Sequence, residues 1–129
     1  MPIEFEISEI FPATCGEIYS AWVSSEGHSA MTGSPARASA EVGAEFTAWD
    51  GYITGKNLAF EPGKRILQAW RTSEFDAKDA DSTLEIQLIP VKQGARLTLH
   101  HSNLPAHGMQ YKEGWVESYF EPMKAYFSA

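Results

Sequence analysis

Four histidines, His28, His100, His101 and His107, and one cysteine, Cys15, are the side chains best suited to metal or nucleophile chemistry in this 129-residue chain. His100 and His101 are neighbours in an alternating segment and so point to opposite faces of a strand. No two histidines have the i, i+2 spacing of a strand ligand pair or the i, i+4 spacing of a helical one, so no metal site is expected. His101 has the parity of Leu97 and Leu99, which predicts an inner-face imidazole, either neutral and satisfied in the core or orienting a bound molecule. Cys15 falls within Thr14-Cys15-Gly16-Glu17, where the Thr and Glu spell a helix capping box. Ser34 has no G-x-S-x-G around it. Gly55-Lys56 and Gly63-Lys64 resemble the end of a phosphate loop, yet Asp50 and Leu58 stand where its first glycine belongs. Glu113, Glu117 and Glu121 repeat every four residues on one helix face, and Asp79 and Asp81 lie in an acidic segment; both sets read as solvated. Arg71 is left with two readings: an outer-face ion pair with an acid such as Glu85, or a contact with a ligand's acidic group at the sheet edge. No catalytic residue and no cofactor are expected.

The elements that must position these groups follow from periodicity. Ile3, Phe5 and Ile7 alternate with Glu4, Glu6 and Ser8, a strand buried on one face. The capped helix after Thr14 carries Ile18, Ala21 and Trp22, and Glu26 to Thr32 predicts a second short helix ended by Gly33, Ser34 and Pro35. Strands and hairpins follow. Asp50-Gly51 favours a two-residue turn that pairs Phe46 with Gly55, Ala48 with Ile53 and Trp49 with Tyr52. Glu61-Pro62-Gly63-Lys64 has the residue order of a type II turn between a strand ending at Phe60 and one over Arg65 to Thr72. Leu84, Ile86 and Leu88, then Leu97, Leu99 and His101, mark two more half-buried strands. Met109 to about Phe127 predicts a long helix with Trp115, Tyr119 and Met123 at i, i+4, i+8. Pro122 lies inside it, so a bend is expected near Ser118 to Pro122. An apolar sheet face and an apolar helix stripe must bury each other, which makes the fold α+β.

The charge and composition set outer bounds. Seventeen acidic against ten scattered basic residues give a net charge of -7, which disfavours nucleic acid and anionic membranes. The start MPIEFEISEI has neither the basic flank nor the apolar run of a signal peptide. No stretch approaches the ~20 apolar residues of a membrane span. The expectation is a cytoplasmic protein of one domain, residues 1–129, without membrane insertion.

Several segments, taken in order, resemble the START-like superfamily, also called SRPBCC or helix-grip, in the branch named after the activator of the heat-shock protein 90 ATPase. They are Pro12-Ala13, His28-Ser29-Ala30-Met31-Thr32-Gly33, Phe46 to Gly51 with Gly55, Pro62-Gly63-Lys64-Arg65-Ile66, Trp70-Arg71, His101-Ser102 before Leu104-Pro105, and Gly114-Trp115. The resemblance implies a curved antiparallel sheet of about six strands wrapped on the long C-terminal helix, often with an apolar cavity between them. It implies binding of lipids, sterols or polyketide-like molecules, with some members acting as cyclases. The resemblance also implies that the eukaryotic chaperone activators carry an additional N-terminal domain, which is not expected within these 129 residues.

Sequence and resemblance together lead to a noncatalytic binder of a small apolar molecule. Its expected contacts are Phe46, Ile53, Ile66, Trp70, Leu84, Ile86, Leu97, Leu99 and His101 from the sheet, and Trp115, Tyr119 and Met123 from the helix. Access is expected past His28 and Met31 or past the loop from Ser102 to Gly108. Gly55 leaves an open position opposite Phe46, and methionines repack readily around a guest. Two alternatives come from other classes: a co-chaperone whose partner is heat-shock protein 90, and a cyclase-type enzyme in which His101 or Arg71 handles protons or charge.

Overall fold

The computed structural model describes residues 3–128, so Met1, Pro2 and Ala129, which the expected 1–129 domain and the leader reading include, lie outside the described residues. Six strands, β1 (Ile3–Phe11), β2 (Glu45–Ala48), β3 (Ile53–Glu61), β4 (Arg65–Thr72), β5 (Ser82–Val91) and β6 (Gly94–Leu104), form one antiparallel sheet in the order β1-β6-β5-β4-β3-β2. Two helices, α1 (Cys15–Trp22) and α2 (Ser25–Thr32), fill the connection from β1 to β2. The chain ends in a helical run: α3 (Gln110–Trp115), a π-helical turn (Val116–Phe120) and α4 (Glu121–Ser128).

Local signals place these elements. The Thr14 hydroxyl accepts from the Glu17 N–H at 3.1 Å while the Glu17 carboxylate accepts from the Thr14 N–H at 2.9 Å, so α1 starts on a complete capping box. Gly33 closes α2 in the left-handed conformation, φ 81°. The β2–β3 register pairs Phe46 with Gly55 and Ala48 with Ile53, as the Asp50-Gly51 turn requires. The Lys64 N–H donates to the Glu61 carbonyl at 2.9 Å across Pro62-Gly63. From Ser82 to Leu88 in β5 and from Ala95 to His101 in β6 every second residue is buried, with Leu84, Ile86, Leu88, Leu97, Leu99 and His101 on the inner face.

Three details depart from the sequence reading. The bend near Pro122 takes the form of a π-turn in which the Glu121 N–H donates to the Val116 carbonyl. Proline has no N–H for the Ser118 carbonyl and its ring crowds that carbonyl, so a wider turn relieves the clash. The inner sheet face is also not covered by the C-terminal helix alone. Helix α1 lies against β5 and β6, because Ile18, Ala21 and Trp22 need an apolar surface of their own, while α4 lies against β1 and α2. Finally, the space beside Gly55 is occupied: a Cβ there would overlap the Phe46 ring and the Ala69 carbonyl. The glycine admits a large neighbour and leaves no hollow.

Candidate functional site

Of the residues expected to contact a ligand, Phe46, Ile66, Leu84, Ile86, Leu97, Leu99, Met31 and Met123 lie packed in one apolar cluster, each no more than 5% exposed. His101 is buried among them. The Trp115 indole N–H donates to its Nδ1 at 3.0 Å, which fixes the tautomer with the proton on Nε2. That proton meets the Ser82 hydroxyl at 2.8 Å, and the hydroxyl donates onward to the Trp70 carbonyl at 2.7 Å. Burial first, and the neighbouring His100 second, push the His101 pKa down to about 3, so the ring is neutral. Both nitrogens are engaged within the core.

His28 is tied in a similar way from the opposite layer. Its Nδ1–H donates to the Trp22 carbonyl at 2.9 Å, which leaves Nε2 to accept from the Tyr119 hydroxyl at 2.7 Å. Burial lowers the His28 pKa and raises that of Tyr119. The Trp22 ring stacks on Trp115 at 6.1 Å and sits 5.2 Å from the Tyr119 ring. Through this cluster α1 and α2 hold the orientation of the C-terminal helix.

The remaining expected residues, Ile53, Trp70, Trp115 and Tyr119, come together in an open cleft of about 390 Å³ between the β2–β3 hairpin and the C-terminal helix. Trp49, Tyr52 and Tyr111 complete a wall of six aromatic rings, with Gln110 and Ser118 as the polar members. Trp49 reaches it through unusual backbone: Trp49, Asp50 and Gly51 have φ of 52°, 55° and 89°. Left-handed backbone at a bulky residue costs about 1–3 kcal/mol and takes Trp49 out of the strand's pleat. The tyrosine hydroxyls are already engaged by the protein. Tyr111 shares a hydrogen bond with Thr72 at 2.6 Å, Tyr119 donates to His28, and Tyr52 donates to Glu74 at 2.6 Å. The other Glu74 oxygen accepts from the Gln110 amide at 2.7 Å, so one carboxylate bridges hairpin and helix beside the cleft. These two hydrogen bonds hold the Glu74 pKa below its ordinary value.

The lining of the cleft comes from the hairpin tip and the C-terminal helix, whereas His28 and Met31 are buried away from it. Arg71 is an organiser of the acidic loop. It bonds the Asp81 carboxylate at 2.8 Å and the Asp76 and Asp79 carbonyls, and it covers the Phe75 ring at 5.3 Å. Glu85 pairs with Arg65 instead. Tyr111 and Glu74 were not among the expected site residues. Tyr111 had a readable signal, since it stands four residues before Trp115 and extends the aromatic stripe by one turn. Glu74 had none, because its partners are 22 and 36 residues away.

The profile of the family described as "Activator of Hsp90 ATPase homolog 1-like protein" matches residues 12–128. The chain belongs to this family. An Activator of Hsp90 ATPase homolog 1-like chain of this length spans only part of a mouse relative, the "Activator of 90 kDa heat shock protein ATPase homolog 2" of Mus musculus. The two are 25% identical over 123 residues, 95% of this chain and 37% of the mouse protein. Among solved structures, an HSP90 activator from Plasmodium falciparum superposes with a TM-score of 0.86 at 23% identity, covering 95% of this chain and 94% of that one. A protein from Mesorhizobium loti gives 0.81 at 19% identity, over 98% and 97%. CalU16 from Micromonospora echinospora gives 0.76 at 20%, over 98% and 76%. At these identities the structural likenesses establish the shared helix-grip α+β fold. Among the described residues no helix is long and apolar enough to cross a membrane.

Proposed function

We propose that the chain binds a small apolar molecule, without transforming it, in the cleft between the β2–β3 hairpin and the C-terminal helix. The observation that carries this reading is the wall of six aromatic rings whose hydroxyl groups are all satisfied by protein partners. Such a wall offers area and shape, with the Ser118 hydroxyl and the Gln110 amide oxygen left to set orientation. The volume is near the lower end of small-molecule sites, which favours a compact, ring-containing ligand over a long acyl chain. His101 and Arg71, the residues a cyclase-type reaction would use, are bonded elsewhere and do not line the cleft. The test is a panel of fatty acids, sterols and aromatic polyketides, read by melting temperature and tryptophan fluorescence. A ligand at a hundredfold excess over its Kd adds about 2.7 kcal/mol of stability. If no compound shifts either signal and native mass spectrometry releases no small molecule from the purified protein, the reading falls.

A second reading is contact with heat-shock protein 90. It is supported by the family and by the likeness, over 95% of the chain, to a Plasmodium falciparum protein described as an HSP90 activator. The acidic face of Glu113, Glu117 and Glu121 suits a basic partner surface. An ATPase assay of heat-shock protein 90 at saturating amounts of this chain decides it: stimulation supports the contact, and an unchanged rate removes it.

A further inference from the structure

The aromatic cleft has an electrostatic character that an apolar ligand alone would not use. Its rings do not stack as one flat layer. Trp70 and Tyr111 are inclined at 80° with centroids 5.1 Å apart, Trp115 and Tyr119 at 49° and 4.6 Å, and Trp70 and Trp115 at 38° and 5.6 Å. The walls therefore turn around the cleft and present π surface from several directions. Beside it sits Glu74, whose two oxygens are held by Tyr52 and Gln110, both of them lining residues. Those hydrogen bonds favour the ionised carboxylate. The nearby loop adds Asp76, Asp79 and Asp81, whereas its cations are Lys78 and an Arg71 already paired with Asp81. Asp50 stands at the hairpin tip next to Trp49. Lys112 is on the same helix as Gln110 and is exposed to solvent. Electron-rich ring faces with a fixed carboxylate at the edge are the arrangement that attracts a weakly hydrated organic cation.

We propose that this cleft selects a small, freely diffusing organic ammonium ion, with the alkylated nitrogen among the rings of Trp49, Trp70 and Trp115 and its charge facing Glu74. The proposal rests on the ligand-binding reading above for the apolar body of the ligand and adds a cationic group to it. An anionic lipid or acid would meet the same carboxylate and be repelled. A cleft of about 390 Å³ accommodates a trimethylammonium group with a short apolar body but not a two-chain lipid.

The test compares two compounds of the same shape, phenyltrimethylammonium and its neutral counterpart tert-butylbenzene, by tryptophan fluorescence and by NMR shifts of the full chain. The cation binds about tenfold more tightly than the neutral compound. In Glu74→Gln, which keeps a hydrogen-bonding side chain but removes the charge, that ratio falls about threefold, and added salt narrows it in the wild type. Equal affinity for the pair, or a ratio that E74Q leaves unchanged, overturns the proposal and leaves apolar binding standing. Failure of both compounds together with the whole panel of fatty acids, sterols and aromatic polyketides removes both. Flotation of the protein on phosphatidylcholine vesicles with no response to the free cation overturns the assignment to a soluble ligand.

Discussion

Burial of His101 as a neutral ring ties the stability of this fold to pH in a calculable way. The folded protein holds the His101 pKa at about 3, against 6.5 for an unperturbed imidazole. Between these values the unfolded chain binds a proton that the folded chain does not, so stability is complete above pH 6.5 and declines as pH falls toward 3. Each pH unit in that window is worth about 1.4 kcal/mol. At about pH 5 the loss from this one residue is therefore about 2 kcal/mol, a large share of the 5–15 kcal/mol typical of a folded domain. The assay is urea unfolding at about pH 7.5 and pH 5 for the wild type and for His101→Gln, whose amide can still accept from Trp115 and donate to Ser82. Carboxylates and His28 contribute to both proteins and cancel in the difference. The wild type should lose about 2 kcal/mol more than H101Q on acidification. Parallel losses, within about 0.5 kcal/mol, would refute the inference that His101 is held neutral by burial.

Other expected outcomes follow from single contacts. Tyr119→Phe strands the buried His28 Nε2 without its donor and should lower unfolding stability by about 1–3 kcal/mol, measured by denaturant titration; His28→Ala in the same background should then cost less than it does alone, since the partner is gone. Gly55→Ala forces a methyl group into the Phe46 ring and the Ala69 carbonyl, and should cost about 2 kcal/mol or more, whereas the same change at exposed Gly16, where a Cβ meets only the Thr14 hydroxyl oxygen at 3.9 Å, should not destabilise by more than about 0.5 kcal/mol. Thr14→Ala breaks the capping box and should lower stability by about 1 kcal/mol, seen as a reduced melting temperature. Trp49→Ala, at the half-buried hairpin tip, should weaken any cleft ligand by at least several-fold in Kd while the far-ultraviolet circular dichroism stays that of the wild type; unaltered affinity would place the ligand elsewhere.

What could be read from the sequence is what neighbours along the chain decide. The capping box of Thr14 and Glu17, the hairpin register set by Asp50-Gly51 and the inward parity of Leu84, Ile86, Leu97, Leu99 and His101 depend on residues within one turn or one pleat. Their geometry follows from backbone hydrogen bonding and side-chain period alone. The helix stripe from Trp115 to Met123 was legible for the same reason, and so was the α+β class, since two apolar faces have to meet. Tertiary structure decided the rest. Whether the aromatic residues fill the core or border a cleft depends on volumes supplied from distant segments: the Phe46 ring closes the space at Gly55, and Trp22 of α1 fills the region behind Trp115 and Tyr119. The pairing of His28 with Tyr119 spans 91 residues, and Glu74 joins a hairpin to a helix that no local pattern connects to it. Trp49, which strict alternation assigns to the sheet's other face, enters the cleft because three left-handed residues redirect the chain at the tip. A buried side chain must find whatever partner the completed packing brings within reach, and that partner is set by the whole fold.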